Sequence, residues 1–200
     1  MNILLGISAS VAAIKIGEVI NRLKESCAEN NIHFEIKFVA TNLAFENFLK
    51  KVDFKENVLL DKHEWMWEKK GDDILHVQLR KWADMFIICP LDANTLASMA
   101  SGACPNLLTC ICRCWDFSKI LLVFPCMNTY MYNHPITRTH LEKISSWGVQ
   151  IVEPFEKLLA CGDYGIGALP DIETVVKEII KYVKIYEQGK IKKTNTEANK

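Results

Sequence analysis

Residues 119–135 read Lys119-Ile-Leu-Leu-Val-Phe-Pro-Cys-Met-Asn-Thr-Tyr-Met-Tyr-Asn-His-Pro135. The run from Lys119 to Phe124 is continuously apolar after its first residue, which is the form of a strand buried on both faces rather than of one with a wet side. At Pro125 that strand ends and a loop opens. In an open α/β sheet, ligands bind in the crevice beyond the carboxyl ends of the strands. A loop that sets Asn128 between Met127 and Met131 carries more specific chemistry than a connector requires. Pro135 can begin a helix at its first turn, running to Trp147, and Gly148 can end it.

Outward from this stretch the same alternation repeats. Asn2 to Ile7 predicts a short buried strand, Gly6 to Ser10 a small-residue turn, and Val11 to Cys27 a helix with apolar positions at Val11, Ile14, Val19, Ile20 and Leu23. Such a turn presents backbone N–H groups and hydroxyls to an anion at a helix N-terminus. It is not G-x-G-x-x-G, so taken alone it is equally a connection. His33 to Ala40 predicts a second strand, and Asn42 a cap for a helix running to Lys50. Asn57 to Leu60 suits a short strand. Met85 to Cys89 predicts a buried strand ending at Pro90-Leu-Asp-Ala-Asn-Thr95, then a helix through Ala100. Capping explains one of Asp92, Asn94 and Thr95, not all three.

Cys104 to Trp115 reads as a buried helix or strand, and Val149 to Val152 as a further strand. Leu158 to Pro170 carries Gly162, Gly165 and Gly167 and reads as a mobile flap that excludes water from a site, with Cys161 at its edge beside Asp163. Asp171 to Gln188 predicts a closing helix, apolar at Ile172, Val175, Val176, Ile179, Ile180 and Val183. Strands alternating with helices predict a single α/β domain over 1–188, a doubly wound parallel sheet with helices on both faces. Residues 189–200 read as a polar, disordered tail.

Composition excludes several classes of partner. Lys plus Arg and Asp plus Glu both number 24, a formal net charge of zero, which implies no broad attraction to nucleic acid or to an anionic membrane. No run of eighteen apolar residues exists to span a bilayer. The eight cysteines include no C-x-x-C pair, and the apolar start lacks a basic n-region, so reduced thiols in the cytoplasm are expected rather than a secreted disulfide framework. The thiols of Cys104 to Cys114 lack the compact spacing of a zinc site, and no metal is expected. In His63-Glu64-Trp65-Met66-Trp67 a tryptophan stands where H-E-x-x-H needs its second histidine. The bland reading is that both tryptophans pack under a loop or at a subunit contact. His76, ahead of a core strand, reads first as structural.

Six ordered blocks carry a resemblance that covers Asn2 to Val183: G-I-S-A-S-V-A-A-I-K, H-V-Q-L-R-K-W-A-D, P-L-D-A-N-T-L-A, N-L-L-T-C, P-C-M-N-T-Y-M-Y-N-H-P and A-C-G-D-Y-G-I-G-A. Together they resemble the homo-oligomeric flavin-containing cysteine decarboxylases, whose signature is P-x-M-N-x-x-M-[aromatic]. The resemblance implies a Rossmann-like, flavodoxin-type domain, a homotrimer with FMN at the subunit interface, and 4'-phosphopantothenoylcysteine as substrate. By position it implies that Gly6, Ser8, Ser10, Thr41, Asp92, Ala93, Asn94, Thr95 and Cys126 surround the cofactor, the flavin phosphate lying near Ser10 and Thr41. It likewise implies that Asn128 holds the substrate carboxylate, Met131 shapes the site, His76 is the active-site histidine and Cys161 the flap's proton donor. The implied reaction oxidises the thiol, loses CO2 and re-reduces the enethiol to 4'-phosphopantetheine.

Three positions depart from the family pattern. Ala9 stands where glycine is common, Lys81 where a second arginine is common, and Tyr132 where the signature ends in tryptophan. None removes a group with a chemical role, so they bear on affinity before reaction type. Rival readings within the architecture are a decarboxylase of C-terminal peptide cysteines, a flavin prenyltransferase, and a non-enzymatic regulatory subunit that inhibits a phosphatase. The prenyltransferases lack P-x-M-N. Retention of His76, Asn128 and Cys161, with a short basic tail, favours an enzyme over the regulatory subunit.

Overall fold

The computed structural model describes the backbone of residues 1–197 and the side chains of residues 1–189. Six strands, β1 (Asn2–Ile7), β2 (Glu35–Ala40), β3 (Val58–Leu59), β4 (Met85–Leu91), β5 (Ile120–Pro125) and β6 (Gln150–Ile151), form one parallel sheet in the order β3-β2-β1-β4-β5-β6. That is the Rossmann order, and without the two-residue edge strand β3 the remaining five fall in the flavodoxin order. The helices are α1 (Ile16–Glu29), α2 (Asn42–Ala44), α3 (Asp61–Glu64), α4 (Leu75–Trp82), α5 (Ala93–Ser101), α6 (Leu107–Arg113), α7 (Thr129–Tyr132), α8 (Pro135–Ser146) and α9 (Ile172–Glu197).

Alternation along the strands supplies a separate core for each face. Ile3, Leu5 and Ile7 of β1 point into a cluster closed by Val19, Ile20 and Leu23 of α1 and Val176, Ile179 and Val183 of α9. Leu4, with Phe86 and Ile88 of β4, points into a second cluster closed by Leu79, Leu96, Leu108 and Ile111. Gly6 lies inside β1, and the side chain it lacks would meet Phe86 and Leu108 at 3.1 and 3.2 Å. β4 is buried at every residue, which is why its sequence shows no alternation.

Several local details differ from the sequence reading. The helix expected from Val11 begins as a 3-10 turn, Val11–Lys15, before α1. Thr41, not Asn42, caps the next helix, its hydroxyl accepting from the Ala44 N–H at 3.2 Å. Asn42 is then the first helical residue, and the segment continues as a π turn, Phe45–Leu49, and a 3-10 turn, Lys50–Val52. The glycine-rich segment is an antiparallel hairpin of β7 (Phe155–Leu158) and β8 (Tyr164–Ala168), not an unstructured loop. Trp65 and Trp67 are 80% and 51% exposed, so no loop among the described residues covers them. α9 runs past Gln188 to Glu197, and residues 198–200 of the expected tail lie outside the described residues.

The chain leaves β1 and β4, neighbours in the sheet, toward opposite faces, and this divergence opens the crevice. Ser8, fully buried, ties the two exits together: its hydroxyl donates to the Pro90 carbonyl at 2.8 Å and accepts from the Asp92 N–H at 2.6 Å. Ser8→Ala leaves that N–H without its partner, which costs about 2 kcal/mol. In a chain of this size the melting temperature is expected to fall by roughly 5 °C, and calorimetry checks it; an unchanged melting temperature would show that the tie adds nothing.

Candidate active site

The carboxyl ends of β1, β2, β4 and β5 bring most of the sequence-marked residues to one end of the sheet. Ser10 follows β1, and its hydroxyl donates to Cys126 Sγ at 3.3 Å across the crevice. The Thr41 N–H donates to the Ile7 carbonyl at 3.0 Å, which holds the end of β2 beside the end of β1. Asp92 caps α5 by accepting from the Thr95 N–H at 2.8 Å, with Ala93 and Asn94 forming the first turn between them. The Cys126 N–H donates to the Leu91 carbonyl at 2.8 Å, registering the loop after β5 on the end of β4. Burial pushes the Cys126 thiol up, while the bond from Ser10 pulls the other way. At neutral pH it is a thiol and a poor nucleophile.

A cleft of about 350 Å³ opens here, lined among others by Ser10, Lys15, Cys126, Asn128, Lys157 and Cys161. Its apolar walls, with two lysines at the margin, suit a ligand that has a flat or aliphatic body and an anionic end. Neither lysine stands out in the sequence. Lys15 closes the first of the six blocks, and Lys157 lies just ahead of the glycines.

Asn128 is the most heavily engaged of these side chains. Its Oδ1 caps α7 by accepting from the Tyr130 N–H at 2.8 Å, and its Nδ2 donates to Cys161 Sγ at 3.2 Å and to Asp163 Oδ2 at 3.0 Å. Cys161 Sγ in turn donates to Asp163 Oδ2 at 3.3 Å. The β7–β8 hairpin therefore closes over Asn128 with both a thiol and a carboxylate. The hairpin is registered by the Met127 N–H, which donates to the Gly167 carbonyl at 2.9 Å. Met131 sits on α7 half exposed, and the cleft lining does not include it. Tyr132, the departure from the signature, packs on the second core cluster and donates its hydroxyl to Glu153.

His76 is not brought to this cleft. It lies in the first turn of α4 on the other face of the sheet, where its Nδ1 meets Glu64 Oε1 at 2.5 Å and its backbone N–H donates to Glu64 Oε2 at 3.0 Å. The Glu64 side chain is 8% exposed and that of His76 25%. A carboxylate so placed fixes the ring orientation and favours the tautomer with its proton on Nδ1, which leaves Nε2 as the acceptor. The failed zinc motif thus has a different content: Glu64 serves a histidine twelve residues on. No periodic pattern announces such a pairing.

The donor set suits a polar cofactor. Thr95 is 1% exposed and its hydroxyl has no partner among the described residues. An orphaned buried hydroxyl beside the Asp92 cap is a group that a bound ligand would satisfy. Among the described residues no cluster of histidine, cysteine or carboxylates has the arrangement to hold a metal ion, and none of their helices is long and apolar enough to cross a membrane. All eight cysteines are free thiols.

The family model described as Flavoprotein matches residues 1–184. A phosphopantothenoylcysteine decarboxylase of Oryza sativa subsp. japonica is 47% identical over 172 residues, covering 84% of this chain and 74% of that protein. Among solved structures, a cysteine-to-serine mutant of PPC decarboxylase complexed with pantothenoylaminoethenethiol has a TM-score of 0.83 at 39% identity, over 92% of this chain and 98% of that one. The FMN binding protein AtHal3 has a TM-score of 0.77 at 40% identity, over 90% of this chain and 95% of that one.

Proposed function

The chain belongs to the Flavoprotein family, and from that premise we propose that it is an FMN-dependent decarboxylase converting 4'-phosphopantothenoylcysteine to 4'-phosphopantetheine in coenzyme A biosynthesis. The observation that carries this reading is the meeting of Asn128 and Cys161 at the carboxyl end of β5, in a chain 47% identical to a phosphopantothenoylcysteine decarboxylase.

FMN, when bound, would take up two electrons, without which loss of CO2 from a cysteine carboxylate has no electron sink, and would return them in the final reduction of the enethiol. Ser10, Thr41, Asp92, Asn94, Thr95 and Cys126 are the side chains that would hold it, with Gly6, Ser8 and Ala93 shaping the backbone around them. Asn128 offers a neutral amide to the substrate carboxylate. It orients the group without the ion pair that would stabilise the carboxylate against leaving. His76 takes the substrate thiol's proton. Cys161 delivers a proton to the enethiol carbon at the last step, and the hairpin that carries it keeps water out.

Because His76 and the cleft lie apart in one chain, the reading requires a second copy to complete each site, in a homotrimer with FMN at the interface. Exposure of Val11 at 48%, Leu43 at 63%, Trp65 at 80% and Met66 at 71% supports such an apolar contact. The eight reduced thiols support a cytoplasmic location, and the two core clusters support one catalytic domain over residues 1–188.

The test is mass spectrometry of FMN-loaded protein incubated with 4'-phosphopantothenoylcysteine. Formation of 4'-phosphopantetheine with release of CO2 is the expected result. No turnover would sink the assignment in favour of a regulatory role, and turnover only of peptides ending in cysteine would move the substrate class. Glu64→Gln is expected to lower turnover by about 100-fold, the low end of what a positioned base contributes, with the flavin spectrum unchanged. A steady-state pH profile checks it: if the Glu64→Gln protein kept the wild-type rate and profile, Glu64 would have no part in holding His76.

A further inference from the structure

Both N–H donors of Asn128 are engaged within the chain. A side-chain amide offers two N–H donors and one carbonyl oxygen. Here the oxygen is taken by the Tyr130 N–H, one donor bond goes to Cys161 Sγ and the other to Asp163 Oδ2. Any carboxylate that Asn128 accepts must therefore displace one of its hairpin partners, and the partner of matching chemistry is itself a carboxylate. We propose that Asp163 is a positioning residue of the decarboxylation, a latch whose carboxylate occupies the Asn128 amide in the ligand-free protein and is exchanged for the carboxylate of the substrate. This rests on the decarboxylase reading of the same site.

Two geometric facts and one electrostatic argument support the exchange. Asp163 lies between β7 and β8, in the turn that the Leu159 N–H closes by donating to the Asp163 carbonyl at 2.8 Å. Its side-chain bond to Asn128 therefore ties the hairpin tip to the start of α7. The same Oδ2 accepts from Cys161 at 3.3 Å, so the thiol is directed into the hairpin while the latch is shut and is released toward the cleft when the latch opens. Two carboxylates cannot share the Asn128 donors without like-charge repulsion, so binding and latching exclude one another. Once CO2 has left, the product has no carboxylate to compete, and Asp163 can return to Asn128. The latch then discriminates between substrate and product on the one group by which they differ at this end.

The inference is tested with two ligands and one ligand-free measurement, on FMN-loaded protein. The probes are 4'-phosphopantothenoylserine, which keeps the carboxylate but cannot be oxidised at sulfur, and 4'-phosphopantetheine, which lacks the carboxylate. Titration calorimetry of Asp163→Ala is expected to give about tenfold tighter binding of the serine compound, the size of one charge-assisted hydrogen bond no longer in competition, with binding of 4'-phosphopantetheine changed less than about twofold. Asp163→Asn keeps an acceptor without the charge and is expected to fall between the two. Without ligand, amide exchange across residues 159–164 is expected to speed up about tenfold or more in Asp163→Ala as the tip is freed. Equal effects on both ligands, or unaltered exchange, would overturn the latch. Failure of the wild-type protein to bind either ligand would instead sink the decarboxylase reading, and the exchange measurement would still decide whether Asp163 holds the hairpin.

Discussion

Cys161→Ser is expected to stop the reaction after CO2 has left, so that the oxidised product accumulates in place of 4'-phosphopantetheine. The thiol sits at the exposed edge of the hairpin, bonded to Asn128 and Asp163, and nothing in the core depends on it. A surface change of this kind moves stability by less than about 0.5 kcal/mol. The loss therefore falls on chemistry. A serine hydroxyl can occupy the same place and make the same bonds, but it is a far weaker acid than a thiol. Removing a proton donor of this kind slows the step it serves by roughly 100- to 10,000-fold. Product analysis of single turnovers checks it, with the melting curve as control. The oxidised species, lacking two hydrogens relative to 4'-phosphopantetheine, should dominate the variant's products and be absent from those of the parent. Full conversion by the variant at the parental rate would remove Cys161 from the mechanism.

How much of this is legible in the sequence depends on the range of the contact involved. The buried strands are legible, because each is bounded by its own apolar run: Asn2–Ile7 is marked out by residues 2–7 alone. The convergence of Ser10, Asp92 and Cys126 is also legible, since the strand-end rule for α/β sheets sends all three to one edge. The hairpin is not. Its strands hold glycines at 165 and 167 and alternate poorly, so residues 158–170 carry the pattern of a loop, and the pairing of Glu156 with Ile166 and of Leu158 with Tyr164 comes from the closed turn. The role of Glu64 is hidden because its local pattern points to a metal, while its partner His76 lies beyond a stretch with no regular element. The placing of Thr41 rather than Asn42 as the cap turns on backbone torsion, which residue type alone does not decide, since both side chains are good caps. The separation of His76 from the cleft is hidden for the same reason: each stretch marks its own residues, and neither marks the distance between them.

Gly167→Ala is expected to abolish turnover while leaving most of the fold in place. Gly167 adopts φ +133°, a backbone region costly to any residue with a Cβ. An added Cβ would stand 2.2 Å from the Met127 carbonyl oxygen. That neighbour is backbone, fixed by the loop that begins the active-site motif, so neither side can yield by changing a rotamer. Strain of this kind together with the overlap costs about 3–5 kcal/mol. The protein can escape most of that cost by breaking the bond from the Met127 N–H to the Gly167 carbonyl and letting the hairpin lift. β7 and β8 form a sheet of their own, separate from the six parallel strands, so the lift leaves the parallel sheet intact. It takes Cys161 and Asp163 away from Asn128. The signature is then a small change in the main unfolding transition, rapid trypsin cleavage after Lys157, and a rate at the assay floor. Gly165→Ala separates strain from bulk: its new Cβ would lie 2.7 Å from both Cγ2 and the hydroxyl oxygen of Thr129, side-chain atoms rather than backbone, and its φ lies outside the left-handed region, so it meets overlap without backbone strain and turnover should survive in part. Equal losses in the two variants would mean that space in the hairpin, not the backbone geometry at Gly167, sets the position of Cys161.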